Sequence, residues 1–241
     1  MTPRHSKGPV HVVLVPGYWL GGWAWDDVVP YLEENGLVPH AVTLPGMGSR
    51  AENRAGLTLE HHVRAVRELV EGLDGRVVLV GHSGGAPVVS GVVDAVPERI
   101  ARVVYVDAGP LPDGASIGID LPEGAVDHPL PSWEDLAADD TPHDGMDDAM
   151  LADVRRRSVP TPAGVVRSVA RLTNERRKQV PVTVVCSSMP AGVLREAIDQ
   201  GAPWVSELAG ADVTLVDLPT GHWPMFSRPF DLAEVIVAAA R

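Results

Sequence analysis

Ser83 stands among small residues in Gly81-His82-Ser83-Gly84-Gly85, a G-x-S-x-G spacing. A serine hydroxyl is a weak nucleophile at neutral pH and needs a neighbouring base. The pattern suits that chemistry if the chain turns sharply from strand to helix at the serine, because such a turn leaves room only for small flanking residues. Val77-Val78-Leu79-Val80 precedes it as a strand-like run, and Gly84–Ala95 follows with a helical pattern. The turn would lift the Ser83 oxygen above the sheet. There the Gly84 N–H and the positive end of the helix dipole face a developing oxyanion. An ordinary glycine-rich turn would share the glycines, but not the partners that follow.

His222 is the best-placed base among nine histidines. It follows the last strand-like run, Val213–Val216, in Leu218-Pro219-Thr220-Gly221-His222-Trp223. Carboxyl ends of strands are where open α/β sheets bind ligands. His61 and His62 fall on a helix and read as surface or half-buried, and His82 as a packing or positioning residue. The acid that orients the base commonly follows the penultimate strand. Here that position is Ser187-Ser188-Met189-Pro190, without a carboxylate. The preceding strand, Val103–Val106, runs into Asp107, and the order Ser83, Asp107, His222 suits the fold. Asp217 is the rival acid.

Six short runs would position these residues: Val10–Val15, Val38–Val42, Val77–Val80, Val103–Val106, Val182–Val185 and Val213–Val216. Near-continuous apolar runs of this length mark strands buried on both faces, as in a parallel sheet. Helical patterns alternate with them at Trp23–Asn35, Leu59–Leu73, Gly84–Ala95, Leu194–Gln200 and Leu232–Ala240. Thr58 is placed to cap the second. The alternation predicts an α/β fold, a doubly wound, mostly parallel sheet of about six strands. From Gly109 to Val180 no strand run appears, and helical patterns fall at Asp147–Arg157 and Ala163–Lys178. So long a structureless loop is improbable in a compact domain. The expectation is a core of residues 1–108 and 181–241 with a helical cap at 109–180.

The 241 residues carry a net charge of -12, which repels phosphate backbones and argues against nucleic-acid partners. Cys186 is the single cysteine, so no internal disulfide forms, and it reads as a core thiol. No apolar run approaches a membrane span, and the first residues lack an apolar signal core. A cytoplasmic enzyme is expected, and a homodimer stays open.

These motifs resemble the α/β-hydrolase superfamily over nearly the whole chain. Pro16-Gly17-Tyr18-Trp19-Leu20-Gly21-Gly22-Trp23-Ala24-Trp25 resembles the His-Gly-x-x-x-Gly-x-Trp-x-Trp segment of plant methylesterases and hydroxynitrile lyases. Leu44-Pro45-Gly46-Met47-Gly48 resembles the Pro-Gly-x-Gly turn after the next strand. An acid at Asp107 resembles a minority arrangement that includes lactone-cleaving zearalenone hydrolases. The resemblance implies an oxyanion hole of the Tyr18 and Gly84 N–H groups. Gly17 would permit the close approach this needs. The chain departs from the pattern at Pro16, where the relatives carry His, and in lacking the usual leading β-hairpin and the acid after Val185.

The expected activity is hydrolysis of a carboxylic ester or lactone of small to medium hydrophobic character, through an acyl-enzyme on Ser83. No cofactor is called for, and no His, Asp or Glu cluster has metal-ligand spacing. Trp19, Trp133 and Trp223 are candidate substrate contacts, while Trp23 anchors its helix. Leu130, Leu136, Met146 and Met150 either line an entrance or pack the cap. Arg155, Arg156 and Arg157 read as a solvated helix face. A lyase or carbon–carbon hydrolase on the same fold is the first alternative. Hydroxynitrile lyases usually add a lysine, and the only lysines here, Lys7 and Lys178, fall on no motif position. A non-catalytic, receptor-like ligand-binding protein is the second.

Overall fold

The computed structural model describes residues 8–139 and 141–241. Eight strands occur in chain order: β1 (Val10–Val15), β2 (Val38–Ala41), β3 (Arg76–His82), β4 (Ile100–Val106), β5 (Asp127–His128), β6 (Thr161–Pro162), β7 (Val182–Cys186) and β8 (Val213–Asp217). Six of them form one sheet, ordered β2-β1-β3-β4-β7-β8. All five neighbouring pairs in it are parallel. The nine α-helices among the described residues are α1 (Val29–Glu34), α2 (Leu59–Gly72), α3 (Ala86–Ala95), α4 (Trp133–Ala138), α5 (Asp148–Arg157), α6 (Ala163–Val166), α7 (Ala191–Asp199), α8 (Pro224–Ser227) and α9 (Pro229–Ala240). None is long and apolar enough to cross a membrane.

Alternation along the strands explains the near-continuous valine runs. Val13, Val15, Val77, Leu79, Val103 and Val184 pack on one face with Val66 and Val70 of α2 and Val88 and Val92 of α3. Val12, Leu14, Val78, Val80, Val104 and Val185 pack on the other with Leu32 of α1 and Leu232 and Ile236 of α9. Both faces of the central strands β1, β3, β4 and β7 are covered, so their runs stay apolar on both sides. Cys186 is a buried thiol of this core, and burial pushes it up to about 11.

Three expectations about elements need correction. The Trp23–Asn35 helix divides into a 3-10 turn at Gly22–Trp25 and α1. Pro30 sits in the first turn of α1, where its missing N–H is harmless. The segment between β4 and β7 is not strandless: β5 and β6 pair antiparallel, His128 against Thr161. The helix expected over Ala163–Lys178 stops at Val166 and leaves a 3-10 turn at Glu175–Gln179. Distant side chains take the place of the backbone carbonyls that a longer helix would have offered these N–H groups. Asp113 accepts the Leu172 N–H at 2.8 Å, and Asp94 accepts that of Asn174 at 2.8 Å.

His62 also differs from its reading. It is buried and its Nε2–H donates to the Pro45 carbonyl at 2.9 Å. Desolvation pushes the ring down to about 4. Its neighbour His61 helps Thr58 cap α2, accepting the Thr58 N–H at 3.2 Å.

Candidate active site

Ser83 directly follows β3 and opens a 3-10 turn that leads into α3. Its φ is +46°, in the left-handed region that non-glycine residues seldom occupy. The neighbouring glycines make the turn feasible. A Cβ on Gly81 would lie 2.6 Å from Val89 Cγ2, and one on Gly85 would lie 2.6 Å from the Pro16 carbonyl oxygen. Strand, helix and the β1 loop therefore close on the serine from three sides. Among the described residues only two other non-glycines have positive φ, Trp19 at +65° and Asp107 at +45°. All three lie in segments that meet at one end of the sheet, and strain of this kind collects at functional sites.

The three sequence-distant residues meet in one hydrogen-bonded chain. Ser83 Oγ–H donates to His222 Nε2 at 2.7 Å. His222 Nδ1–H donates to Asp107 Oδ2 at 2.6 Å. The side chains of His222 and Asp107 are only 14% and 5% exposed, so the pair is poorly screened. Asp107 also accepts the N–H groups of Ser187 and Ser188 at 3.1 and 2.8 Å, and the Ser188 hydroxyl at 2.7 Å. Burial alone would raise this carboxyl. The bond and charge of His222, with the Ser188 donors, outweigh burial and hold it well below the usual carboxylate range. The loop after β7 thus lacks an acid but supplies donors to one, a role that its serines do not announce in sequence. Asp217 is elsewhere: it accepts the Ala191 N–H at 2.7 Å, at the start of α7.

His222 is held through its own backbone. Its N–H donates to the Pro142 carbonyl at 2.7 Å. Its carbonyl accepts from His82 Nε2–H at 2.8 Å. His82 is fully enclosed, and its Nδ1 has no partner. Desolvation first, then the nearby His222, push its ring down to about 3, so it is a neutral donor. Gly221 adds a close contact, since a Cβ there would come within 2.5 Å of the Asp144 nitrogen.

The Gly17–Tyr18 segment lies against the serine. A Cβ on Gly17 would sit 3.1 Å from Ser83 Cβ and 2.7 Å from His82 Nδ1. The Tyr18 ring covers Gly84 so closely that a Cβ there would overlap it. Trp19 is fixed in its left-handed conformation by the segment between β4 and β7. Its N–H donates to Thr161 Oγ1 at 2.8 Å, and its indole N–H to the His128 carbonyl at 3.1 Å.

The tryptophans behave differently from one another. Trp223 is 2% exposed and Trp19 8%. Both rings are largely buried, Trp19 against His128 and Trp223 against Trp133 and His222. Trp133 stays half-buried, edge-on to Trp223 at 5.4 Å and tilted against His143 at 5.7 Å. Leu136 and Met146 join the core, whereas Met150 is exposed. The arginine run of α5 is not simply solvated. Arg155 lies over the Trp133 ring and donates to the Pro131 carbonyl. Arg157 lies 4.3 Å from the Trp23 ring centroid and pairs with Asp26 at 2.9 Å. Only Arg156, paired with Asp153, fits the solvated reading.

A strained serine between a parallel strand and a helix, joined to a histidine and an acid from two later strand ends, defines an α/β hydrolase. The sequence pattern of the alpha/beta hydrolase family matches residues 12–235, and the chain belongs to that family. It is 27% identical to putative methylesterase 11, chloroplastic, of Arabidopsis thaliana, over 96% of this chain. It spans 64% of that relative's length. It is 28% identical to the pyrethroid hydrolase of Sphingobium wenxiniae, covering 93% of this chain and 85% of the relative. Among solved structures it resembles an extracellular alpha/beta-hydrolase from a Paenibacillus species, described as sharing structural and functional homology with tobacco salicylic acid binding protein 2. The TM-score is 0.75 at 22% identity, covering 97% of this chain and all of that one, a likeness of fold.

Proposed function

We propose that the protein is a serine esterase, acting on a carboxylic ester or lactone of a small to medium hydrophobic substrate. The observation that carries this reading is the Ser83–His222–Asp107 chain, with bonds of 2.7 and 2.6 Å on a positive-φ turn. The relatives named for ester-cleaving activity support the same class.

In the reaction, His222 Nε2 takes the Ser83 proton as the oxygen attacks the carbonyl carbon. Asp107 holds the ring with Nε2 toward the serine and stabilises the imidazolium that forms. The Tyr18 and Gly84 N–H groups receive the carbonyl oxygen as it gains charge. One such donor contributes about 3 kcal/mol in the transition state. The C–O bond to the alcohol breaks and His222 returns its proton to that alcohol. A water, deprotonated by His222, then releases the acid and restores Ser83. In a lactone the alcohol stays tethered to the acyl group. Residues 109–180 act as a cap, and Trp133 is its aromatic contribution near the base.

The lyase alternative lacks its usual cation: Lys178 is paired with Glu175 at 2.8 Å on the 3-10 turn before β7, and Lys7 lies outside the described residues. The test is labelling with a fluorophosphonate, followed by steady-state hydrolysis of p-nitrophenyl acetate and butyrate. Stoichiometric labelling, lost in Ser83→Ala with turnover, is the expected outcome. An unlabelled wild-type enzyme, or labelling that survives Ser83→Ala, would overturn the reading.

A further inference from the structure

A cavity lies beside the acid, between the chain leaving β4 and the α7 region. It encloses about 570 Å³, within the range of small-molecule sites. Asp107 and Ser188 form one end, Leu111 and Ala115 a wall, and Leu194 and Trp204 the opposite side. Neither Ser83, His222 nor Tyr18 lines it. Asp107 thus turns Oδ2 to His222 while its residue also borders this cavity.

The lining selects a chemistry. Asp107 is its one charged residue, and no Lys, Arg or His accompanies it. An anionic ligand would lose its hydration with no cation in return, beside a carboxylate. A cationic ligand would need lone pairs that His222, Ser187 and Ser188 already occupy. The remaining surface is apolar, and two large side chains are left open to water there, Trp204 at 53% and Met189 at 41%. An indole face and a thioether favour aromatic partners. Ser188 and Ser116 can add a hydrogen bond.

We propose that this cavity, which Ser83 does not line, is a ligand site that takes a neutral, mainly aromatic small molecule. The proposal rests on the esterase reading only for the role of Asp107, since binding can be measured without turnover.

The test is calorimetric titration of the full chain with 4-hydroxybiphenyl and, as a charged match, biphenyl-4-carboxylate. Wild type is expected to bind one equivalent of the neutral probe and to bind the carboxylate at least tenfold more weakly. Fluorophosphonate treatment of Ser83 should leave that affinity within twofold. Ala115→Trp, which fills the cavity from its wall, should weaken binding at least tenfold while p-nitrophenyl acetate turnover stays within twofold. Trp204→Ala removes an exposed rim side chain without burdening the fold and should weaken binding severalfold. No binding to wild type, equal affinity for the carboxylate, loss of binding on Ser83 modification, or full affinity in both variants would each overturn the proposal. A wild type that binds the probe but hydrolyses no ester would sink the esterase reading alone.

Discussion

The nucleophile turn and the histidine loop are held in opposite ways. Ser83 is fixed by covalent geometry: a strand end, a helix start and two glycines against which backbone and Val89 are packed. His222 lies on a loop about five residues beyond the last paired position of β8, Asp217 opposite Cys186. Its backbone is placed by two hydrogen bonds, one from His82 and one to Pro142. The first anchor belongs to the nucleophile turn itself and the second to the segment between β4 and β7. A shift of that segment would therefore misplace the base before it disturbed the serine. The serine is thus held by close packing and the histidine by two hydrogen bonds, and a working pair needs both.

Asp107→Asn should break the arrangement most severely. The amide would favour the wrong tautomer of His222, and turnover should fall about 10⁴-fold in steady-state kinetics. Asp217→Asn, two strands away at the end of β8, is the control. It keeps an oxygen for the Ala191 N–H, so turnover should stay within about twofold and stability within about 1 kcal/mol. The reverse ranking would mean that the acid is misassigned.

The difference in how serine and histidine are held is tested by adding one methyl group on each side. In Gly221→Ala the new carbon would press on the Asp144 nitrogen 2.5 Å away and displace His222. A displacement near 1 Å lowers turnover about 100-fold, with little change in melting temperature expected. In Gly85→Ala the carbon meets the Pro16 and Val15 carbonyls at the end of β1. There the expected loss is stability, about 1–3 kcal/mol, read by urea unfolding. Equal stability losses in both variants would erase the distinction.

The same contrast governs what could be read from sequence. Ser83 and Asp107 directly follow valine-rich runs, and strand ends in a parallel sheet have few places to go, so their convergence was legible. His222 was legible as the histidine after the last strand, but its anchors were not. The Pro142 and His222 carbonyls are backbone groups, which carry no signature in residue type. Ser187 and Ser188 showed only that an acid was missing, while their donation to Asp107 depends on the β4–β7 register. Aromatic residues on site loops drew attention as substrate contacts, yet ring direction is set by tertiary packing, and Trp223 turns inward. The false helix at Ala163–Lys178 has the same origin. Its periodicity was adequate, but Asp113 and Asp94, far away in sequence, claimed the N–H groups of Leu172 and Asn174.

His82 links the two regions and predicts a smaller effect on rate. His82→Phe removes the donor to the His222 carbonyl while filling similar space. Turnover should fall about tenfold, the share of one neutral hydrogen bond, with KM nearly unchanged. His82→Gln can donate from its amide and should recover most of the rate. A residue that merely filled space would lower stability in both variants without this split in kcat.

Acid titration gives the mildest and most diagnostic effect. The folded values of about 3 for His82 and about 4 for His62 lie below the ordinary 6.5 of a free imidazole. The unfolded chain therefore takes up these two protons first as pH falls. The stability gained by keeping both rings neutral is complete above about pH 7 and drains away below 6.5. Each ring contributes a slope of up to about 1.4 kcal/mol per pH unit. Urea unfolding between pH 7 and 5 should show this decline in wild type, and His82→Gln should lack one ring's share while keeping that of His62. An unchanged slope in the variant would mean that His82 takes up its proton as readily in the folded protein as in the unfolded chain, and would remove its role as the neutral donor that holds the base in place.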